Sequence, residues 1–166
     1  MDFTPYPYGN AKRSSSGQIT CQHGSRECIG KFQTCICLCA FTPDAHILSG
    51  NLNLNCLIHV ANNQTETFWP AWTCIEGSED PIKDAANCCT QAGISWLQVN
   101  ACATGDLGNF LVNAAADATQ ALSPPHKFVP WVTVNGSPLS EDDLDNLVGI
   151  VCKAYQGPTK PAVCNV

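Results

Sequence analysis

The sequence is poor in charged residues, and basic residues are the scarcer kind. Only 13% of its 166 residues are charged, and eight Lys and Arg residues stand against fourteen Asp and Glu residues, which gives a net charge of −6. The basic residues are also scattered along the chain. Because proteins that bind nucleic acids need clustered basic side chains, this composition argues against a nucleic-acid partner.

Long hydrophobic runs are also missing. No apolar stretch approaches the ~18–20 residues that would cross a bilayer, so no membrane span is predicted. The residues from Met1 to Pro5 have no basic segment followed by an apolar one, so no signal peptide is predicted in this chain. We expect the chain to be truncated at its N-terminus, because its remainder has the composition of a secreted protein. With 45% hydrophobic residues, it can pack one globular domain.

Cysteine is abundant, yet no two cysteines have the spacing Cys-x-x-Cys. The chain has twelve cysteines, an even and high number that is typical of a disulfide framework formed in an oxidising compartment. Asn63-Gln64-Thr65 is an N-glycosylation acceptor and is consistent with the secretory route. Asn135-Gly136-Ser137 has the same pattern, but Pro138 follows it and a tight turn is predicted there, so we discount it.

The patterns along the chain predict an α/β protein. Residues 3–8 read as a short strand interrupted by prolines, and residues 52–122 read as several short helices. Asp80 before Pro81 predicts a capped helix start, with Gly93 beyond its end. A second helix is predicted to begin at Asp106 and to bury one apolar face, which consists of Leu107, Phe110, Leu111, Ala114, Ala115 and Ala118.

The last third of the chain has the plainest signals. Residues 129–134 are β-branched and aromatic, which favours a strand, and Asn135-Gly136 is a strong hairpin signal. Ser140 is predicted to cap a final helix. Its buried stripe is expected to contain Leu144, Leu147, Val148, Val151 and Tyr155.

The run CQHGSREC at residues 21–28 resembles the signature C-Q-H-G-x-x-E-C of the gamma-interferon-inducible lysosomal thiol reductase family. The matching residues are Cys21, Gln22, His23, Gly24, Glu27 and Cys28. Further blocks match in the same order, among them PYGNA at residues 7–11, PPH at 124–126 and VPWVTVNG at 129–136. Two departures occur: Lys31 stands where the family usually has Asn, and the family's last signature cysteine would fall between Cys35 and Cys37.

This resemblance implies a thioredoxin-like fold with an all-helical insertion, in which the first core strand and the active-site helix are missing. It implies a single domain over residues 1–166. Residues 1–41 would supply a strand and the signature loop, residues 42–122 the helical insertion, and residues 123–166 the strand hairpin and C-terminal helix. The strand at residues 3–8 would be the second core strand, and the strand at 129–134 the third.

The resemblance also implies the reduction of protein disulfides in lysosomal or secretory compartments, without a metal or organic cofactor. Such enzymes attack with a thiolate at a helix N-terminus, and a second cysteine of a Cys-x-x-Cys pair completes the reaction. Because this chain has no such pair, no catalytic residue is assigned and we expect it to be inactive as written. Val129 and Pro130, with Pro130 cis, would face the substrate beside His126 and Trp131.

Several alternatives remain open. The second interpretation is a non-catalytic, disulfide-rich secreted binding protein derived from the same family. Cys35, Cys37 and Cys39 could form a redox couple or, with His46 or His59, a zinc site, although ordinary disulfides are favoured. His23 could activate a cysteine or simply make a loop hydrogen bond. The disulfide candidates are Cys21, Cys28, Cys35, Cys37, Cys56, Cys74, Cys88, Cys102, Cys152 and Cys164; their pairing and the oligomeric state are left open.

Overall fold

The computed structural model describes residues 3–20 and 50–165. This part of the chain is mostly helical and contains two small antiparallel sheets, which is an α/β fold. It divides into two compact units, residues 5–20 with 50–120 in one and residues 3–4 with 121–165 in the other. Within these ranges, no helix is both long and apolar enough to cross a membrane.

The first unit consists of a short hairpin and five helices. Strands β1 (Lys12–Arg13) and β2 (Ile19–Thr20) pair antiparallel. The helices are α1 (Gly50–Val60), α2 (Thr65–Glu76), α3 (Pro81–Gln91), α4 (Trp96–Ala103) and α5 (Asp106–Gln120). Several short helices are what the sequence predicts for residues 52–122. Helix α1 packs against both α4 and α5, and α2 packs against α3.

The predicted strand at residues 3–8 is wrong. Residues 7–10 form a turn, and the strand pairing begins only at Lys12, opposite Thr20. Pro5 and Pro7 have no backbone N–H, so this segment cannot donate the hydrogen bonds of a continuous ladder. The turn is held by α1 instead, because the side-chain amide of Asn55 donates to the carbonyl of Pro7 at 2.8 Å.

Arg13 fastens the hairpin to the C-terminal half of α5. Its guanidinium donates to the side chains of Asn113 at 3.3 Å and Gln120 at 3.2 Å, and it pairs with the carboxylate of Asp117. These three partners lie on one face of α5, where residues three and four positions apart are neighbours. A planar guanidinium can satisfy several acceptors at once, so this one side chain links the hairpin to three residues of α5.

The start of α3 follows the sequence prediction. The carboxylate of Asp80 accepts a hydrogen bond from the N–H of Lys83 at 3.2 Å, and Pro81 occupies the first helical position. Beyond the helix end, Gly93 has a φ of +72°, a left-handed conformation that favours glycine. The predicted cap, helix start and terminating glycine are therefore confirmed.

The predicted buried face of α5 is only partly right: Ala115 is buried and Leu111 packs against the core, but the buried face is rotated away from Leu107 and Phe110. The residues of α5 that are buried are Gly108, Val112, Ala115 and Ala116, whereas Leu107 and Phe110 are 40% and 69% exposed. The cause is the close approach of other helices to Gly108. A Cβ atom added there would lie 2.7 Å from the carbonyl oxygen of Cys102 and 3.1 Å from the side chain of Leu52. The face of α5 that contains Gly108 is buried, because a residue without a side chain fits the close approach of α4 and α1.

In the second unit, only part of the predicted strand at 129–134 forms. Strand β3 (Thr133–Val134) pairs with β4 (Ser137–Pro138), and the turn residues Asn135 and Gly136 have φ values of +51° and +80°. Positive φ at both central positions is the two-residue hairpin turn that Asn-Gly favours. The hairpin prediction is confirmed, while residues 129–132 lie outside the strand.

The cap predicted at Ser140 forms on a 3₁₀ turn (Asp142–Asn146) and not on the final helix, α6 (Leu147–Ala154). The Ser140 hydroxyl accepts from the N–H of Asp143 at 3.3 Å and donates to the carboxylate of Asp143 at 2.6 Å, whereas α6 begins after Asn146, which makes no side-chain cap hydrogen bond. Val148, which the sequence places in the buried stripe, is exposed, and Cys152 is the buried residue of α6. Cys152 is bridged to Cys164, which lies in a short 3₁₀ turn (Ala162–Cys164), so the side of α6 that contains Cys152 is covered by this turn.

The packing at Gly108 gives a testable prediction. Gly108→Ala should lower the free energy of unfolding by about 1–3 kcal/mol, because the added methyl group overpacks the contact with α4. The higher helix propensity of alanine, worth about 1 kcal/mol, works in the opposite direction. Urea or thermal unfolding followed by circular dichroism measures the change.

The matched control is Gly50→Ala, at the first residue of α1, where an added Cβ meets no atom within 4 Å. It should leave stability unchanged or raise it slightly. Equal effects of the two substitutions would contradict the close-packing interpretation.

Candidate functional site

The two residues predicted to face the substrate form an exposed apolar loop. Val129 is 46% exposed, and the peptide bond between Val129 and Pro130 is cis. The bond between Ser123 and Pro124 is also cis, which sequence reasoning missed. On this segment Val129 therefore presents an apolar side chain to solvent beside a ring that cannot donate a backbone hydrogen bond.

Two aromatic rings bracket this dipeptide. The rings of Phe128 and Trp131 meet edge to face, with their centroids 5.0 Å apart. The backbone N–H of Leu139 donates to the carbonyl of Val132 at 2.9 Å, which extends the β3–β4 hairpin by one hydrogen bond toward the loop. The loop is therefore braced on one side by a ring contact and on the other by the hairpin. His126, which lies on the same segment, is partly buried.

The six described disulfide candidates form three bridges. Cys56 in α1 is bridged to Cys102 in α4, Cys74 in α2 to Cys88 in α3, and Cys152 to Cys164. The first two close loops within the helical unit, and the third closes a loop within the second unit. The remaining candidates, Cys21, Cys28, Cys35 and Cys37, lie outside the described residues, as does the whole signature from Cys21 to Cys28.

Cys89 is the free cysteine within the described ranges, and its thiol is expected to be unreactive. Its side chain is buried in α3, and burial raises its pKa from 9.0 to about 11. Thiol–disulfide exchange requires a thiolate, so a thiol with this pKa is a poor nucleophile near neutral pH. Cys88 is its neighbour, but adjacent side chains on a helix diverge by about 100°.

No metal site is found among the described residues. No group of three or more His, Cys, Asp or Glu side chains there could hold a metal ion. His59, one of the two histidines considered as zinc ligands, lies in the last turn of α1. Cys35, Cys37, Cys39 and His46 fall outside the described ranges, so the zinc hypothesis stays untested.

Asn63, the predicted glycosylation acceptor, is exposed in the turn that joins α1 to α2. Its φ is +59°, and its backbone N–H donates to the carbonyl of Ile58 at 2.9 Å. Asn135, which has the same three-residue pattern, lies in the β3–β4 turn described above. The two patterns therefore occupy different kinds of turn, one at a helix start and one within a tight hairpin.

Sequence reasoning missed the residues that hold the N-terminal turn. Asn55 donates to the carbonyl of Pro7, and the side-chain amide of Asn51 lies 3.4 Å from the carbonyl of Tyr8. Asn51 and Asn55 are four residues apart in α1, which places them on one face of the helix. Two asparagines at this spacing in the sequence predict that this face of the helix makes polar contacts with another segment.

Comparison with known proteins gives consistent results. The family model described as gamma interferon inducible lysosomal thiol reductase (GILT) matches residues 1–48. A gamma-interferon-responsive lysosomal thiol protein of Arabidopsis thaliana is 33% identical over 167 residues, and gamma-interferon-inducible lysosomal thiol reductases of Mus musculus and Carassius auratus are 33% and 35% identical. Each alignment covers 99% of this chain and 61%, 59% and 59% of the respective relative. The chain thus spans about three fifths of the length of these curated relatives.

The raised pKa of Cys89 gives a prediction about pH. The unfolded thiol ionises near its ordinary pKa of 9.0 while the folded thiol keeps its proton until about 11. Between these values the unfolded state binds fewer protons, so the stability of the fold should decrease as pH rises through this window. Cys89→Ala should remove this part of the pH dependence, as measured by the difference between the unfolding curves of the two proteins at pH 8 and pH 10.

Tyr8, whose pKa is also raised by burial, is present in both proteins, so its contribution cancels in the difference. The reactivity of the thiol can be measured separately, by alkylation and peptide mapping. Cys89 in the folded protein should react far more slowly than in the unfolded protein. Rapid labelling of native Cys89 at neutral pH would overturn the assignment of an inert thiol.

Proposed function

Since the chain belongs to the gamma-interferon-inducible lysosomal thiol reductase family, we propose that it carries the substrate-facing part of a protein-disulfide reductase. The observation that carries this proposal is the similarity along nearly the whole chain to relatives named as thiol reductases. Its fold would be thioredoxin-like, with α1–α5 as the helical insertion, and the first core strand and active-site helix would be missing. The three-part organisation into residues 1–41, 42–122 and 123–166 belongs to this proposal.

Val129 and Pro130 are the residues that we propose to face the substrate. The exposure of Val129 and the bracing of the loop by Phe128 and Trp131 support this role. A substrate that contains a disulfide must present its backbone and sulfur atoms together, and a rigid apolar loop would restrict their orientation at low entropic cost. The substrate class is accordingly disulfide-containing proteins.

The reduction needs sulfur chemistry that this polypeptide does not encode. One thiolate attacks a substrate sulfur and expels the other sulfur as a thiolate; a second thiolate then attacks the mixed disulfide, so the enzyme pair is oxidised as the substrate is reduced. No Cys-x-x-Cys pair occurs in the 166 residues. We therefore propose that this polypeptide alone has little or no reductase activity, and no catalytic residue is assigned.

The inert state of the described sulfur atoms supports this proposal. Six of the seven described cysteines are in bridges, and the seventh, Cys89, is buried with a raised pKa. Thiol–disulfide exchange uses only the sulfur atoms, so no metal or organic cofactor is proposed. The bridges and the names of the relatives favour a lysosomal or secretory compartment.

A non-catalytic binding protein is the second candidate function. The observation that favours it is the exposed apolar surface of α5, where Leu107 and Phe110 project from a unit closed by its own two bridges. Exposed apolar side chains that are grouped on one helix often mark an interaction surface. This reading needs no nucleophile, so it does not depend on the missing cysteine pair.

An insulin-reduction assay tests the first proposal. The purified 166-residue protein, supplied with a dithiol, should precipitate insulin chains no faster than the same dithiol alone. The matched variant replaces Cys35, Cys37 and Cys39 with Ser, because these cysteines are the remaining sequence candidates for a redox couple. We expect both proteins to behave alike, since neither contains a Cys-x-x-Cys pair.

A rate well above that of the dithiol would overturn the proposal of an inactive polypeptide. If the triple variant then lost that rate, the nucleophile would lie in the cluster at residues 35–39. If it kept the rate, the nucleophile would be another cysteine, and the Cys89→Ala variant would test the one free thiol of the described part.

A further inference from the structure

The turn of the β3–β4 hairpin contains the only Asn-Gly dipeptide of the 166 residues, Asn135-Gly136. Both residues are exposed. An asparagine that precedes glycine can react with its own backbone, because no Cβ atom hinders the approach of the next peptide nitrogen to the side-chain amide. Whether this happens in a folded protein depends on whether that nitrogen is held by a hydrogen bond.

The peptide nitrogen of Gly136 is not held. Within the described ranges, neither its N–H nor the side-chain amide of Asn135 makes a hydrogen bond. A Cβ atom added at Gly136 would meet no atom within 4 Å, so the space around this residue is open. The hairpin is only two residue pairs long, so its tip can open locally without disturbing a core.

Two other exposed asparagines share the backbone conformation of Asn135 but not its free neighbour. The non-glycine residues with positive φ in the described part are Asn62, Asn63 and Asn135, at +53°, +59° and +51°. The peptide nitrogens that follow Asn62 and Asn63 donate backbone hydrogen bonds at 2.9 and 3.0 Å. Both of these nitrogens also belong to residues with side chains. The structure thus distinguishes Asn135 from the two asparagines whose backbone is most like it.

We propose that Asn135 deamidates spontaneously in the folded protein and that part of the product is isoaspartate. The Gly136 nitrogen gives its proton to hydroxide and bonds to Cγ of Asn135, while Nδ2 takes a proton from water and leaves as ammonia. Water then opens the resulting succinimide at one of its two carbonyls, which gives aspartate or isoaspartate. The reaction needs neither an enzyme nor an oxidant, so it is independent of the proposed reductase activity.

Isoaspartate would weaken the hairpin beside the candidate site. It places the side-chain carbons of residue 135 in the main chain, so the turn gains a methylene and loses the two-residue geometry that Asn-Gly favours. The hydrogen bond from the N–H of Leu139 to the carbonyl of Val132, which extends the hairpin toward the loop, depends on the register that this turn sets.

The first experiment measures where deamidation occurs. The protein is produced in a bacterial periplasm, where disulfides form and asparagine is not glycosylated, and is incubated folded and denatured at pH 7 and pH 9. Peptide mapping by mass spectrometry gives the rate at each asparagine. In the folded protein Asn135 should react about ten times faster than Asn62 or Asn63, and faster at the higher pH. The proposal is wrong if Asn135 reacts in the denatured protein but stays intact in the folded one.

The matched control is Gln64→Gly, which places glycine after Asn63 but keeps the hydrogen-bonded nitrogen of that turn. Glycine is tolerated at an N-cap position such as residue 64. In the folded variant, Asn63 should deamidate more slowly than Asn135, and the two rates should become similar after denaturation. Equal rates in the folded variant would contradict the role assigned to the free nitrogen.

The second experiment tests the effect on the hairpin. The isoaspartate form is separated by chromatography and compared with Asn135→Asp, which has the same charge but an unchanged main chain. Amide hydrogen exchange at Leu139, followed by NMR, should be faster in the isoaspartate form. Equal protection of Leu139 in the two proteins would overturn the proposed weakening of the hairpin.

Discussion

Three helices meet at Cys102, and the helical unit depends on this junction. The sulfur of Cys102 in α4 is bridged to Cys56 in α1, while its backbone carbonyl approaches Gly108 of α5 too closely for any side chain at that position. A covalent bond and a close backbone contact thus link α4 to α1 and to α5 through one residue. The bridge closes a loop with a sequence separation of 46, so it also restricts the unfolded chain considerably.

The disulfide bridges are partly shielded from exchange with other thiols. Cys56, Cys88, Cys102 and Cys152 are all buried, so each of the three bridges has at least one sulfur shielded from solvent. Exchange requires a thiolate to approach a disulfide sulfur in line, and burial blocks that approach. This burial would protect the bridges of the scaffold during the proposed reduction of substrate disulfides.

Signals that act within a few residues were readable from the sequence. The Asp80-Pro81 helix start and the Asn135-Gly136 turn depend on local backbone chemistry, and both formed as predicted. The buried face of α5 was not readable, because the choice between Leu107 and Gly108 as the contacting residue depends on how closely α4 approaches. The strand expected at residues 3–8 failed for a related reason: strand-forming side chains cannot replace the N–H groups that two prolines lack.

In the candidate site, too, some features depend on nearby residues in the sequence and others on which elements are neighbours in space. The dipeptide Val129-Pro130 was singled out by a resemblance between whole blocks of sequence, since most X-Pro bonds are trans and the dipeptide alone carries little information. Disulfide partners could not be assigned, because pairing depends on which helices are neighbours in space. Each compact unit contains at least one bridge of its own. Formation of these bridges can therefore be used to check folding separately from redox activity. A folded protein without reductase activity can then be distinguished from a misfolded one.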